Sequence, residues 1–136
     1  MGKITSLFVR KIVAQAGAGV DRRALLLSVG LDPEAGANPD LMIEDTDYYE
    51  LIEGTLAGDP AAVTLGLRTG ASMRCDDYGA LGLAFKSALT LRSLYLRLER
   101  YSRVLSTVAT YSVRDEQDGV YASATNRSLT RTSWVA

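Results

Sequence analysis

The stretch Thr90-Leu91-Arg92-Ser93-Leu94-Tyr95-Leu96-Arg97-Leu98-Glu99-Arg100-Tyr101, continued past Ser106 by Thr107-Val108-Ala109-Thr110-Tyr111-Ser112-Val113, changes its hydrophobic period halfway. Up to Leu105 the residues Leu91, Leu94, Tyr95, Leu98, Tyr101 and Leu105 recur three and four apart, the repeat of a helix with one apolar face. Thr90 can cap that helix, since its hydroxyl can accept from a first-turn N–H. This predicts the last and longest helix of the chain. Beyond Ser106 β-branched and aromatic residues alternate, Asp115 to Gly119 supplies a turn, and Val120-Tyr121-Ala122 resumes, so a hairpin is predicted. A lone hairpin is marginal in water and needs a packed helix or more strands. Asn126 to Trp134 offers one further strand. The expected class is therefore α+β: a helix-rich N-terminal part of about five helices, followed by the start of an antiparallel β-sheet.

Toward the N-terminus, Ile4, Leu7, Phe8, Ile12, Val13 and Ala16 predict an amphipathic first helix over Ile4 to Ala16. Asp21 reads as the N-cap of a short second helix through Leu25-Leu26-Leu27 that ends near Gly30. Asp32-Pro33 and Asn38-Pro39-Asp40 bracket a turn-rich loop, because proline pushes the residue before it out of helical space. A short extended piece at Leu41-Met42-Ile43 precedes a third helix, capped by Asp45 or Thr46 and ending at Gly58. Pro60 suits the first turn of a fourth helix through Val63, Leu65 and Leu67 to about Gly70. Ala71 to Asp77 reads as a loop, and Tyr78 to Leu89 as a small-residue-rich buried helix.

Composition excludes several classes of function. The 136 residues, 47% hydrophobic, suffice for one core and are read as a single domain, 1–136. Fifteen basic residues against sixteen acidic leave a formal charge of −1, so no global field draws the chain onto nucleic acid or an anionic membrane. The apolar start is cut off by Arg10-Lys11, too short for a signal-peptide core or a membrane span. A single cysteine, Cys75, allows no intrachain disulfide and makes the cytoplasm the default setting. Histidine is absent, which removes the commonest general base and metal ligand, so neither metal nor cofactor is expected.

Local constellations have structural readings that outweigh functional ones. Arg92, Arg97, Arg100 and Arg103, with Lys86, form a basic strip that could meet phosphate, but a solvated face is favoured. The leucine stripe of the same helix is read as core, with a homodimer seam as the competing reading. Asp76-Asp77 beside Cys75 offers paired carboxylates, yet adjacent side chains in a loop point apart and stay solvated. Gly66, Gly70, Gly79 and Gly82 lack the spacing of a phosphate cradle and are assigned to close helix packing. A DNA-reading helix after Gly30 is ruled out by Pro33, Gly36 and the acidic Asp32 and Glu34.

Taken in order, Gly19-Val20-Asp21, Leu25 to Gly30 with Leu31-Asp32-Pro33, Asn38-Pro39-Asp40, Asp59-Pro60, Leu65-Gly66-Leu67-Arg68-Thr69-Gly70, Tyr78-Gly79-Ala80-Leu81-Gly82 and Ser87 to Leu91 resemble the N-terminal sensing domain of one branch of the AraC family. The resemblance runs from about residue 7 to residue 125. It implies a non-catalytic module that binds a small-molecule effector or self-associates, as a homodimer for instance. DNA would be read only by a C-terminal helix-turn-helix module that lies outside this chain, so residues 1–136 are expected to be a truncated effector-sensing and oligomerisation domain. Residues 127 to 136 depart from the family's pattern. Ligand pockets are mostly apolar with a few orienting polar groups. On that ground Tyr48, Tyr49, Tyr78 and Tyr101 are candidate aromatic walls and Arg68 a candidate anion anchor, against the bland reading of core tyrosines with one satisfied hydroxyl. The alternative function is a stand-alone interaction domain that docks a partner helix.

Overall fold

The computed structural model describes residues 2–126. Six α-helices precede a hairpin among these residues, and a second, smaller strand pair ties the beginning of the chain to its middle. The α+β class and the order of helices before the hairpin are as the sequence predicts.

Strand β1 (Lys3–Thr5) leads directly into helix α1 (Ser6–Gln15). The first helix thus begins two residues later than its periodicity predicts, because Ile4 and Thr5 are held extended from outside. The Thr5 N–H donates to Leu105 O at 2.7 Å and the Ser6 N–H to Leu41 O at 2.7 Å. Thr5 Oγ1 accepts from the Leu7 N–H and caps the helix. Helix α2 (Arg22–Ser28) is capped as predicted, with an Asp21 carboxylate oxygen 3.0 Å from the Ala24 N–H. It is closed by Gly30 at φ 74, a left-handed turn that only glycine adopts without strain. That turn drops Leu31 into the core at 2% exposure.

Strand β2 (Met42–Glu44) pairs antiparallel with β1, Ile4 opposite Ile43. Helix α3 (Asp45–Gly58) follows; its N-cap is Glu44 without a side-chain bond, rather than Asp45 or Thr46. Pro60 does not open the next helix. An Asp59 Oδ1 accepts the Ala61 N–H at 2.8 Å and bends the chain into an Asx turn, so a 3₁₀ turn (Ala62–Thr64) intervenes before helix α4 (Leu65–Ser72). Val63 and Leu67 are 94% and 77% exposed, whereas Leu65 between them is buried. The expected loop at 71–77 is shorter than predicted, since α4 runs to Ser72 and Cys75–Tyr78 forms another 3₁₀ turn. Gly79, at φ 58, separates that turn from helix α5 (Ala80–Lys86).

Helix α6 (Leu91–Tyr101) has the predicted Thr90 cap, whose hydroxyl accepts the Ser93 N–H at 3.0 Å. With 11 residues it is shorter than the 14 of α3, because the chain tightens into a 3₁₀ turn at Ser102–Val104. Its leucine stripe is core only in part: no residue of α6 is fully buried and Leu91 is 67% exposed, while Leu94, Tyr95 and Leu98 are half-buried and Leu105, just beyond the helix, is buried. Strands β3 (Ala109–Glu116) and β4 (Gly119–Asn126) form the predicted hairpin about Gln117-Asp118, with Tyr111 opposite Ala124 and Val113 opposite Ala122. The further strand expected after Asn126 lies outside the described residues.

The core gathers Val9, Ile12 and Val13 from α1, Leu31 from the loop after α2, Ile43 from β2, Leu51 from α3 and Leu65 from α4. Burial of a side chain of this size contributes about 1.5–3 kcal/mol. Of the four glycines assigned to packing, only Gly82 fits that reading: a Cβ there would stand 1.6 Å from Cys75 O. Gly66 and Gly70 face open space, and Gly79 serves the turn.

Candidate functional site

Where β1, α3 and the open end of the hairpin meet, the side chains leave a cavity of about 220 Å³. Tyr48, Tyr49 and Ile52 reach it from α3, Ile4 and Phe8 from β1 and α1, and Tyr111 from β3. Among the described residues, no charged side chain lines it. The Tyr48 and Tyr49 rings sit edge to face, centroids 5.4 Å apart and planes at 75°, the arrangement that brings a positive ring edge to a negative face. Asn126 Nδ2 donates to Tyr49 Oη at 2.7 Å and so joins the end of β4 to α3.

Burial, reinforced by the neighbouring Tyr49 and Tyr111 hydroxyls, pushes Tyr48 up to about 12. Its hydroxyl therefore stays protonated and acts as a neutral donor or acceptor. Tyr111 also lines a second cavity of about 210 Å³ between α6 and the hairpin, beside Tyr95 and Leu98. Room for it arises because Tyr111 and Val113 face the small Ala124 and Ala122 across the strands. One tyrosine side chain thus partitions two small apolar chambers.

The five residues singled out in the sequence are not brought together. Tyr48 and Tyr49 line the cavity. Tyr78 is half-buried edge-on against Phe85, centroids 6.0 Å apart. Its hydroxyl is raised by burial first, then by Asp77 and by Tyr111. Tyr101 lies in a separate groove between α5 and α6, 41% exposed. Arg68 is not among the cavity residues; its guanidinium donates to Asp59 Oδ2 at 2.6 Å, Gln15 O at 3.1 Å and Ala61 O at 3.0 Å. These bonds fasten α4 to the end of α1. The Asp59 carboxyl is held below the usual carboxylate range, by the Ala61 N–H first and then, against the opposing effect of burial, by Arg68 and the Gly17 N–H.

Tyr111, Ile52 and Phe8 are the residues that sequence reasoning left out. The signal for Tyr111 was present in the alternation of Ala109, Tyr111 and Val113, which share the half-buried face of β3. The paired carboxylates have separate partners: Asp77 meets Lys11 Nζ at 2.7 Å and Asp76 meets Lys86. Among the described residues, no group of three Cys, Asp or Glu side chains could hold a metal ion. No helix among them is long and apolar enough to cross a membrane.

Fold and cavity together define a helix-rich α+β domain that keeps a small uncharged chamber between its helical body and its hairpin. The family model described as the arabinose-binding domain of AraC transcription regulator, N-terminal, matches residues 19–133, and the chain belongs to that family of ligand-sensing regulatory domains. A search of curated proteins finds no match.

Proposed function

We propose that this domain is the non-catalytic effector sensor of a cytoplasmic transcription regulator, and that its effector is an uncharged small molecule held at Tyr48, Tyr49 and Tyr111. The observation that carries the reading is the cavity wall itself: aromatic faces, tyrosine hydroxyls and the Asn126 amide group, with no charged side chain. Such a wall would leave a carboxylate or phosphate buried and unpaired, which costs several kcal/mol. A neutral ring or polyol costs far less, because hydroxyls exchange hydrogen bonds with tyrosines and apolar faces stack on the rings.

At about 220 Å³ the chamber is smaller than the ~300–1,000 Å³ of ordinary ligand pockets. Swinging the Tyr111 ring aside joins it to the space beside Tyr95 and Leu98. An effector that favours this joined arrangement changes how the hairpin sits on α3 and α6, and only the difference in affinity between the two arrangements does regulatory work. DNA is contacted by a helix-turn-helix module outside residues 1–136, to which the hairpin end of the domain relays the change.

Thermal unfolding in the presence of a panel of neutral sugars, neutral aromatic metabolites and their anionic counterparts tests the proposal. Saturable stabilisation by neutral members is expected, about 2.7 kcal/mol at a hundredfold excess over Kd. Tyr49→Ala should abolish it and Arg68→Gln should not. Stabilisation confined to anions, or lost equally in both variants, would overturn the assignment.

A further inference from the structure

A furrow runs between α5 and α6 on a face that shares no residue with the tyrosine cavity. One end, a space of about 300 Å³, is apolar and built by Leu81, Ala84, Tyr101 and Val104. The other, about 460 Å³, adds Leu96, Arg97 and Arg100. Large apolar side chains stand open along it, Val104 at 52%, Tyr101 at 41% and Leu96 at 38% exposure.

Charge identifies the occupant. Among the described residues, Arg92 and Lys86 are paired with Asp115 and Asp76, but neither Arg97 nor Arg100 forms an ion pair. Arg97 donates only to Ala84 O and Ser87 Oγ. A second copy docked furrow to furrow would bring together two linings that each hold Arg97 and Arg100 and no carboxylate, faces of like charge. The last ten residues of this chain carry Arg127 and Arg131 and no acidic side chain. A small ligand would need cover on most sides, which an open furrow does not give. From Ser93 to Tyr101 the α6 wall is about 12 Å long at 1.5 Å per residue, a little over two turns, and the 3₁₀ turn at Ser102–Val104 extends it.

We propose that the α5–α6 furrow docks an acidic amphipathic helix of a partner protein, its leucine-type anchors seated against Ala84, Tyr101 and Val104 and its carboxylates beside Arg97 and Arg100. Anchors at i, i+3 or i+4 and i+7 give the affinity, and the arginines fix which way the helix lies.

The test uses the full chain and a labelled synthetic peptide of about four turns, leucines on one face and glutamates flanking them, read by fluorescence anisotropy. Saturable binding is expected, weakened at least about tenfold by Arg100→Glu and by Ala84→Trp, which fills the floor. A peptide with lysine in place of glutamate should bind Arg100→Glu better than the parent. Val104→Ser, at an exposed furrow residue that leaves the fold intact, gives the same weakening if Ala84→Trp lowers the melting temperature. Affinity unchanged by these variants overturns the proposal. So does binding of duplex DNA through Arg100 in place of the peptide, or concentration-dependent self-association abolished by Val104→Ser.

Discussion

Asp59 shows how one side chain can settle a local fold. Its carboxylate, 1% exposed, takes bonds from Ala61, Arg68 and Gly17 and leaves no room for a Cβ at Gly17, where one would lie 2.6 Å from its Oδ1. Because its folded pKa is depressed, the stability it contributes is present above the ordinary carboxylate range and is lost as pH falls through the folded value. Asp77, depressed chiefly by Lys11, adds a contribution of the same sign. An Asp59→Asn variant should therefore melt lower than the parent at neutral pH, with the gap closing as melting curves are taken below about pH 4. Tyr48 has the opposite sign. With its folded pKa raised to about 12 from the ordinary 10.0, the contribution is full below 10.0 and lost as pH rises toward 12. Titration of tyrosinate absorbance should show, beside the raised hydroxyls of Tyr78 and Tyr121, one that ionises at about 12 and is absent in Tyr48→Phe, and that variant should lose less stability between pH 10 and 12 than the parent. Neither pairing was legible in the sequence: Arg68 and Asp59 lie nine residues apart on no common face, and an arginine there looks equally suited to hold a ligand.

At the level of elements, caps and periods were read well wherever the signal was local. Asp21, Gly30 and Thr90 do what their side chains dictate, and the hairpin turns where its polar residues cluster. Misreadings fall where another group competes for the backbone, a distant one at Ile4 and Thr5 and an adjacent one at Pro60. Ile4 and Thr5 obey helical spacing but are drawn straight by Leu105, and the proline signal at Pro60 is overridden by the Asx turn of Asp59. Gly82 is the sharpest element-level constraint, because the carbonyl of Cys75 occupies the space a methyl would need. Gly82→Ala should cost about 1–3 kcal/mol in denaturant unfolding despite the better helix propensity of alanine. Thr90→Ala, which removes only a cap, should cost about 1 kcal/mol. If the two rank the other way, backbone contact between the 75–78 turn and α5 is not what holds α5 in place.

For the molecule as a whole, the candidate site depends on a joint that no single element contains. Lys3–Thr5 pairs on one side with Met42–Glu44 and on the other bonds to Leu105 and Thr107, so the helical body and the hairpin share one short strand. Half the cavity wall could be read from the α3 tyrosines, since aromatic residues in a pair signal a wall; the other half, Ile4 and Tyr111, became visible only through this long-range closure. Deleting residues 2–5 should raise amide hydrogen exchange at Met42–Glu44 and at 105–110 together, while Ile12, Val13 and Leu51 keep their protection. Separate loss at either end alone would show the joint to be two independent contacts. The same strand sets a timetable. It leaves the ribosome before all of its partners, and Thr107, 104 positions on from Lys3, is synthesised last among them. At about 5–20 residues per second that is a wait of roughly 5–20 s. Throughout that interval the strand can be mated only on its Met42–Glu44 side, so the helical body is assembled first and the chamber is sealed only as the hairpin emerges.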